Sequence, residues 1–149
     1  MKSRTSDWFE VGIRYDKTME DGAQKPVTEQ YVVDALSFTE AENKITEEMS
    51  SYISGDYSVK TIKKATYHEI FFSDGDKADK WFKAKLQFIT LDEKTQKEKR
   101  SNVVVVYLVQ ATSLNAACKA IDEIMGGTMI DYESMSVQET KVLDVFYEK

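Results

Sequence analysis

In 149 residues the chain has one proline, one histidine, one cysteine and only six glycines. Each scarcity excludes something. Cys118 stands alone and cannot close an internal disulfide, so a disulfide scaffold is ruled out and a reducing cytoplasm is the expected setting. His68 stands alone too, which excludes metal sites built on two histidines, and a Cys–His nucleophile pair would need Cys118 beside it. So little proline and glycine excludes a collagen-like fibre or a low-complexity tail. No run approaches the ~18 apolar residues that span a bilayer, so no membrane partner is expected. No apolar stretch follows Met1-Lys2-Ser3-Arg4-Thr5-Ser6-Asp7, so no leader peptide is expected either. The glycine loop that cradles phosphate is missing, and so is a G-x-S-x-G elbow. Ser73-Asp74-Gly75-Asp76 lacks the spacing and the closing Glu of a calcium loop. The expectation is no catalytic residues, no metal site and no cofactor.

What the chain does have is the composition of a folded domain: 42% hydrophobic, 11% aromatic and 31% charged residues. Its length suits one domain of ordinary size. Twenty basic residues against twenty-six acidic ones leave a net charge of −6. That balance lacks the bulk positive charge of a protein that coats duplex DNA.

The chain also resembles itself. Trp8-Phe9-Glu10-Val11-Gly12-Ile13-Arg14-Tyr15 aligns with Trp81-Phe82-Lys83-Ala84-Lys85-Leu86-Gln87-Phe88 at a shift of 73. Tyr31, Val33, Ala35, Ser37, Ala41, Ile45 and Met49 align with Tyr107, Val109, Ala111, Ser113, Ala117, Ile121 and Met125 at a shift of 76. Asp56-Tyr57 and Glu69-Ile70-Phe71 align with Asp131-Tyr132 and Asp144-Val145-Phe146 at a shift of 75. Collinear blocks whose shifts differ only by loop insertions predict a tandem duplication.

Each half reads as β-β-α-β. Phe9, Val11, Ile13 and Tyr15 alternate with Trp8, Glu10, Gly12 and Arg14, the period of a half-buried strand, and Phe82 to Phe88 repeats it. Charged connections follow, Asp16 to Pro26 and Asp92 to Arg100. The second strands are expected over Thr28–Leu36 and Asn102–Thr112. The period then turns helical: Phe38, Ala41, Ile45, Met49 and Tyr52 make one stripe, and Leu114, Ala117, Ile121 and Met125 make another. Ser37-Phe38-Thr39-Glu40 is a capping box, and Gly55 and Gly126-Gly127 read as stops. Third strands are expected within Ser58–Phe72 and Ser134–Tyr147. The predicted fold is α+β: two ββαβ repeats, 8–72 and 81–147, joined by a linker at 73–80 into one unit with a pseudo-twofold axis. One helix per repeat packs on a face of mainly antiparallel sheet. Val103–Val109 is apolar on both faces, so it should be covered twice, by the other repeat or by self-association with a second molecule.

Most polar candidates read as structure. His68 fits a strand with a satisfied ring, Cys118 a small hydrophobe packed in a helix, and Asp56 and Asp131 turns before strands. The exception is a face that carries Trp8 with Arg14 and Trp81 with Lys83 and Lys85. Aromatics among cations hold single-stranded nucleic acid by stacking on bases, at about 1–3 kcal/mol each, while the cations follow the phosphates. The hairpin tip adds Lys94, Lys97, Lys99 and Arg100, offset by Asp92, Glu93 and Glu98. The plainer reading is that the tryptophans cover a sheet and the lysines guard its edges.

Trp8-Phe9, Val33-Asp34-Ala35-Leu36-Ser37-Phe38-Thr39-Glu40-Ala41-Glu42, Tyr67-His68-Glu69-Ile70-Phe71 and Ile89-Thr90-Leu91-Asp92-Glu93-Lys94 together resemble a domain-of-unknown-function family. That family is frequent in Bacteroidetes genomes and their phages and prophages. The resemblance implies a small cytoplasmic protein, sometimes carried by mobile DNA, with no catalytic residues to transfer. The expected function is non-enzymatic binding, with single-stranded nucleic acid as the ligand. The alternative is a protein-interaction or homo-oligomeric module.

Overall fold

The computed structural model of the chain describes residues 1–148. The fold is α+β, with nine strands and two helices among the described residues. In chain order these are β1 (Lys2–Arg4), β2 (Trp8–Thr18), β3 (Gln24–Asp34), α1 (Phe38–Met49), β4 (Tyr57–Lys64), β5 (Glu69–Phe72), β6 (Lys80–Leu91), β7 (Glu98–Ala111), α2 (Leu114–Gly126), β8 (Asp131–Glu139) and β9 (Val142–Phe146). They fall into two compact units. One comprises Ser6–Thr66 and Lys141–Lys149, the other Met1–Thr5 and Tyr67–Thr140. Neither helix is long and apolar enough to cross a membrane.

The first unit holds a sheet of order β4-β2-β3-β9. β2 and β3 form a long antiparallel hairpin, from Trp8↔Asp34 out to Thr18↔Gln24. Its turn relies on Gly22, whose φ of +82° is open to glycine at little cost. The charged connection expected at Asp16 to Pro26 is therefore largely strand. Pro26 sits opposite Asp16, before β9 joins β3 at Gln30, so its missing donor interrupts no ladder on that side. β4 pairs antiparallel with β2, while β9 runs parallel to β3.

Helix α1 starts where Ser37 Oγ accepts the N–H of Glu40, while the Glu40 carboxylate reaches back to the N–H of Leu36. Its stripe buries Ala41, Ile45 and Met49 against Phe9, Val11, Ile13, Val33 and Ala35. Phe38 and Tyr52, at the ends of the predicted stripe, remain exposed. Their rings still pack, Phe38 edge-on to Phe9 at 5.1 Å and Tyr52 on Phe146 at 6.4 Å.

The second unit holds a sheet of order β1-β5-β7-β6-β8. β6 and β7 form its long hairpin, β8 pairs antiparallel with β6, and β5 runs parallel to β7. Ser113 Oγ caps α2 on the N–H of Ala116. Its stripe buries Ala117, Ala120, Ile121 and Met125, packed with Phe71, Phe82, Ala84, Leu86 and Val109. The helix does stop at Gly126-Gly127, but Gly127 is right-handed (φ −79°). Thr128 closes the end instead, donating its N–H and its hydroxyl to the carbonyl of Met125.

One expectation needs correction. The single third strands are each broken, into β4 and β5 and into β8 and β9. The chain leaves one unit between Thr66 and Tyr67 and returns between Thr140 and Lys141. β5 thus joins the sheet of β6 and β7, and β9 joins that of β2 and β3. The compact units consequently differ from 8–72 and 81–147, and residues 73–80 connect strands of one unit. The physical reason is that a parallel partner cannot be reached through a tight turn, so β5 and β9 pair with strands distant in the sequence. Within its sheet β7 is flanked by β5 and β6. Val106, Leu108 and Val109 are buried, whereas Val103 is exposed.

Candidate binding surface

The expected aromatic face does not present its rings. Trp8 and Trp81 lie on the sheet faces opposite the helices, as the alternation predicted, yet they are only 1% and 2% exposed. Trp81 packs edge-on to Phe72 at 5.5 Å. The indole Nε1 of Trp8 is buried without a hydrogen-bond partner among the described residues. A ring with no free face cannot stack on a base. Gly12, on the same face of β2, is also buried, and a Cβ there would lie 2.6 Å from Thr61 Oγ1.

The cations are distributed between the two units. Arg14 is exposed in the first, beside Tyr15, Asp16, Asp56 and Tyr57. In the second, Lys83 is half-buried and Lys85 exposed on β6. Lys94, Lys97 and Lys99 are exposed around the tip of the β6–β7 hairpin. That tip is set by Asp92, whose carboxylate accepts the N–H of Lys94 and whose N–H donates to the carbonyl of Lys97. Arg100, also exposed, pairs with Glu133 at 2.6 Å.

The structural readings fare differently. His68 holds a strand junction: its Nδ1 accepts the N–H of Val106 at 3.0 Å, and its own N–H donates to the Val106 carbonyl. Cys118 is exposed instead of packed, because it follows Ala117 and is rotated off the buried stripe. Among the described residues no three His, Cys, Asp or Glu side chains could hold a metal ion.

Two arrangements went unread in the sequence. The first is an ionic knot in the four-stranded unit. Lys44 Nζ donates to the Asp34 carbonyl at 2.8 Å and lies within 3.1–3.4 Å of carboxylate oxygens of Glu40, Asp34 and Glu148. Burial pulls the lysine pKa down, but the bonds to Glu40 and Asp34 outweigh it and the net shift is upward. Glu40 is held below the usual carboxylate range by the Leu36 N–H and by Lys44. One lysine thus bridges three carboxylates and ties β3, α1 and the chain after β9 together.

The second is a groove of about 490 Å³ in the five-stranded unit, where the far end of β6, the end of α2 and the start of β8 converge. Ile89, Met125, Ile130 and Tyr132 give it apolar walls, and Glu98, Asp122 and Asp131 give it an anionic rim. Tyr132 donates its hydroxyl to Asp122 at 2.5 Å. That bond, with burial second, pushes its pKa up to about 12. Leu91, opposite Glu98 on the hairpin, is 65% exposed, and Met129, next to Ile130, is fully exposed. Exposed apolar side chains beside a groove with partly apolar walls are a feature of interaction sites. Among the described residues no lysine or arginine lines this groove.

No curated protein and no solved structure gives a significant match to the chain. A family profile matches residues 7–149. The chain belongs to that family, described as a domain of unknown function (DUF4494).

Proposed function

We propose that this chain is a non-enzymatic interaction module whose groove takes an apolar, positively charged segment of a partner protein. One observation carries the reading: the apolar walls and three-carboxylate rim of the groove, flanked by exposed Leu91 and Met129. Apolar walls favour aliphatic or aromatic side chains from the partner. An anionic rim attracts lysine and arginine and repels phosphate, which favours protein over nucleic acid. Burial of both tryptophans removes the stacking platform that the nucleic-acid reading needs.

We also infer that the two units are copies of one ββαββ block that have exchanged their last strands. Support comes from bonds that recur at matched positions. Ala65 donates to the Trp8 carbonyl as Thr140 does to that of Trp81. Ser37 and Ser113 cap their helices alike. Asp34 accepts the N–H of Glu148 as Gln110 accepts that of Ser73. On this inference the groove is a divergence, since its counterpart beside Tyr57 carries Asp16 and Arg14 where the groove carries Ile89 and no base.

The test titrates the full chain at low ionic strength with two fluorescent probes, a peptide alternating leucine with lysine and a single-stranded oligonucleotide. Saturable peptide binding that weakens in Met129→Ser/Ile130→Ser and with salt is expected, with no saturable oligonucleotide binding. Oligonucleotide binding lost in Lys94→Glu/Lys97→Glu, with the peptide inert, would replace this reading by the nucleic-acid one.

A further inference from the structure

Two strands end their sheets with opposite charge. β4 is terminal in the order β4-β2-β3-β9, and β8 is terminal in the order β1-β5-β7-β6-β8. Across Tyr57–Lys64, β4 carries Lys60, Lys63 and Lys64 and no acid. Across Asp131–Glu139, β8 carries Asp131, Glu133 and Glu139 and no base. All six side chains are exposed. An edge strand offers backbone groups that another strand can pair with, and the charges on it decide which strands approach.

We propose that β4 of one molecule docks edge to edge with β8 of a second copy. Charge selects this pairing over β4 with β4 and over β8 with β8. Two β4 edges would bring lysines together and two β8 edges would bring carboxylates together, whereas β4 against β8 joins three cations with three anions. Each molecule carries both kinds of edge, so the contact is head-to-tail. The ion pairs already made on these edges do not compete strongly. Lys63–Glu10, Arg100–Glu133 and Lys80–Glu139 each include a well-exposed partner, and exposed pairs contribute little. Both edges carry a bulge, at Lys60 between Val59 and Thr61 and at Met135 between Ser134 and Ser136. A bulge leaves its residue outside the ladder and strengthens the local twist. Docking is therefore confined to the strand segments on either side, which makes it weak and reversible. It rests on the strand edges, which share only Asp131 with the rim of the groove.

The test is light scattering on the full chain across a concentration series, at low and high salt. Wild type should associate as concentration rises and dissociate as salt rises. Lys60→Glu/Lys64→Glu makes both edges acidic, and Glu133→Lys/Glu139→Lys makes both basic, so each variant alone should be monomeric. Mixing the two variants should restore association, because each basic edge again meets an acidic one. Circular dichroism checks that both variants fold, and the milder pair Lys64→Gln and Glu139→Gln should weaken association without abolishing it. Met129→Ser/Ile130→Ser should leave association unchanged, which separates this proposal from the groove. A wild type that stays monomeric at low salt throughout, or association that survives both charge reversals, overturns it.

Discussion

The carbonyl oxygen of Trp81 accepts both the backbone N–H and the side-chain hydroxyl of Thr140, each at 2.8 Å. The bond falls where β8 ends and the chain leaves the five-stranded unit, so it holds a buried strand start to a departing strand end. The equivalent bond in the other unit, from Ala65 to Trp8, has no hydroxyl to add. Thr140→Val keeps the shape and the N–H bond and removes only the hydroxyl. It should cost about 1 kcal/mol of stability, the usual net worth of one hydrogen bond. Urea denaturation measures it, and a loss near zero would mean that the backbone bond alone pins the strand.

Burial of the tryptophans has a spectroscopic consequence. Both indoles sit at 2% exposure or less, so native emission should be blue-shifted and poorly quenched by acrylamide. Adding a single-stranded oligonucleotide should leave the emission unchanged, since no ring face is open to a base. Emission near that of free tryptophan in water, or strong quenching on adding the oligonucleotide, would contradict the packing described here.

The sequence carried the local order well and the long-range partners poorly. Ser37 with Glu40, and Ala41, Ile45 and Met49 at helical spacing, place α1 and its buried face without any structure. Alternation from Phe9 to Tyr15 likewise identifies the face of β2 that meets the helix. It also puts Trp8 on the other face correctly, but whether that face is wet depends on what lies over it, and alternation holds no information about that. The break between Lys64 and Glu69 was illegible because no glycine or proline marks it and apolar residues continue through Tyr67 and Ile70. The groove was illegible for a related reason. Ile89, Asp122 and Ile130 come from three elements, and only the apolar pair Met129-Ile130, stranded after two glycines, hints at it.

High pH should expose the tyrosine hydrogen bonding. Tyr15 and Tyr31 are pushed up to about 12 by burial first and by Glu29 next, and Tyr132 reaches about 12 through its bond to Asp122. A folded pKa above the unfolded value of about 10 means the protonated phenol is favoured by folding. The stability it contributes is complete below pH 10 and is lost as pH rises through 12. Tyr132→Phe should therefore be less stable than wild type at neutral pH, and the two should converge between pH 10 and pH 12. Absorbance titration of wild type should show some of its eight tyrosines ionising late.

Asp144 predicts the opposite trend in acid. Desolvation raises its pKa, with the Val145 N–H pulling partly the other way. Its ionised form is thus disfavoured in the fold, and the cost is present at neutral pH and vanishes in acid as the carboxyl protonates. Asp144→Asn retains an oxygen for the Val145 N–H and removes the charge. The variant should be more stable than wild type at neutral pH and equal to it in acid, as urea midpoints at the two pH values would report.

Gly12 makes the sharpest packing prediction. It lies in the middle of β2, where glycine normally weakens a strand, so alanine would ordinarily stabilise. Here a Cβ would sit 2.6 Å from Thr61 Oγ1 and 3.4 Å from Gln30 Nε2, with β4 and β3 on either side. The nearer contact is too short for any real Cβ, so Thr61 or the β2–β4 ladder must move. Gly12→Ala should cost about 1–3 kcal/mol, the range for overpacking a buried site. Thr61 is exposed, so Thr61→Ala alone should cost little. Because Thr61→Ala removes the clashing oxygen, the double variant should recover most of the loss, and the coupling between the two sites should be positive. If the double variant is no more stable than Gly12→Ala alone, the restraint comes from the strand backbone or Gln30 and not from Thr61.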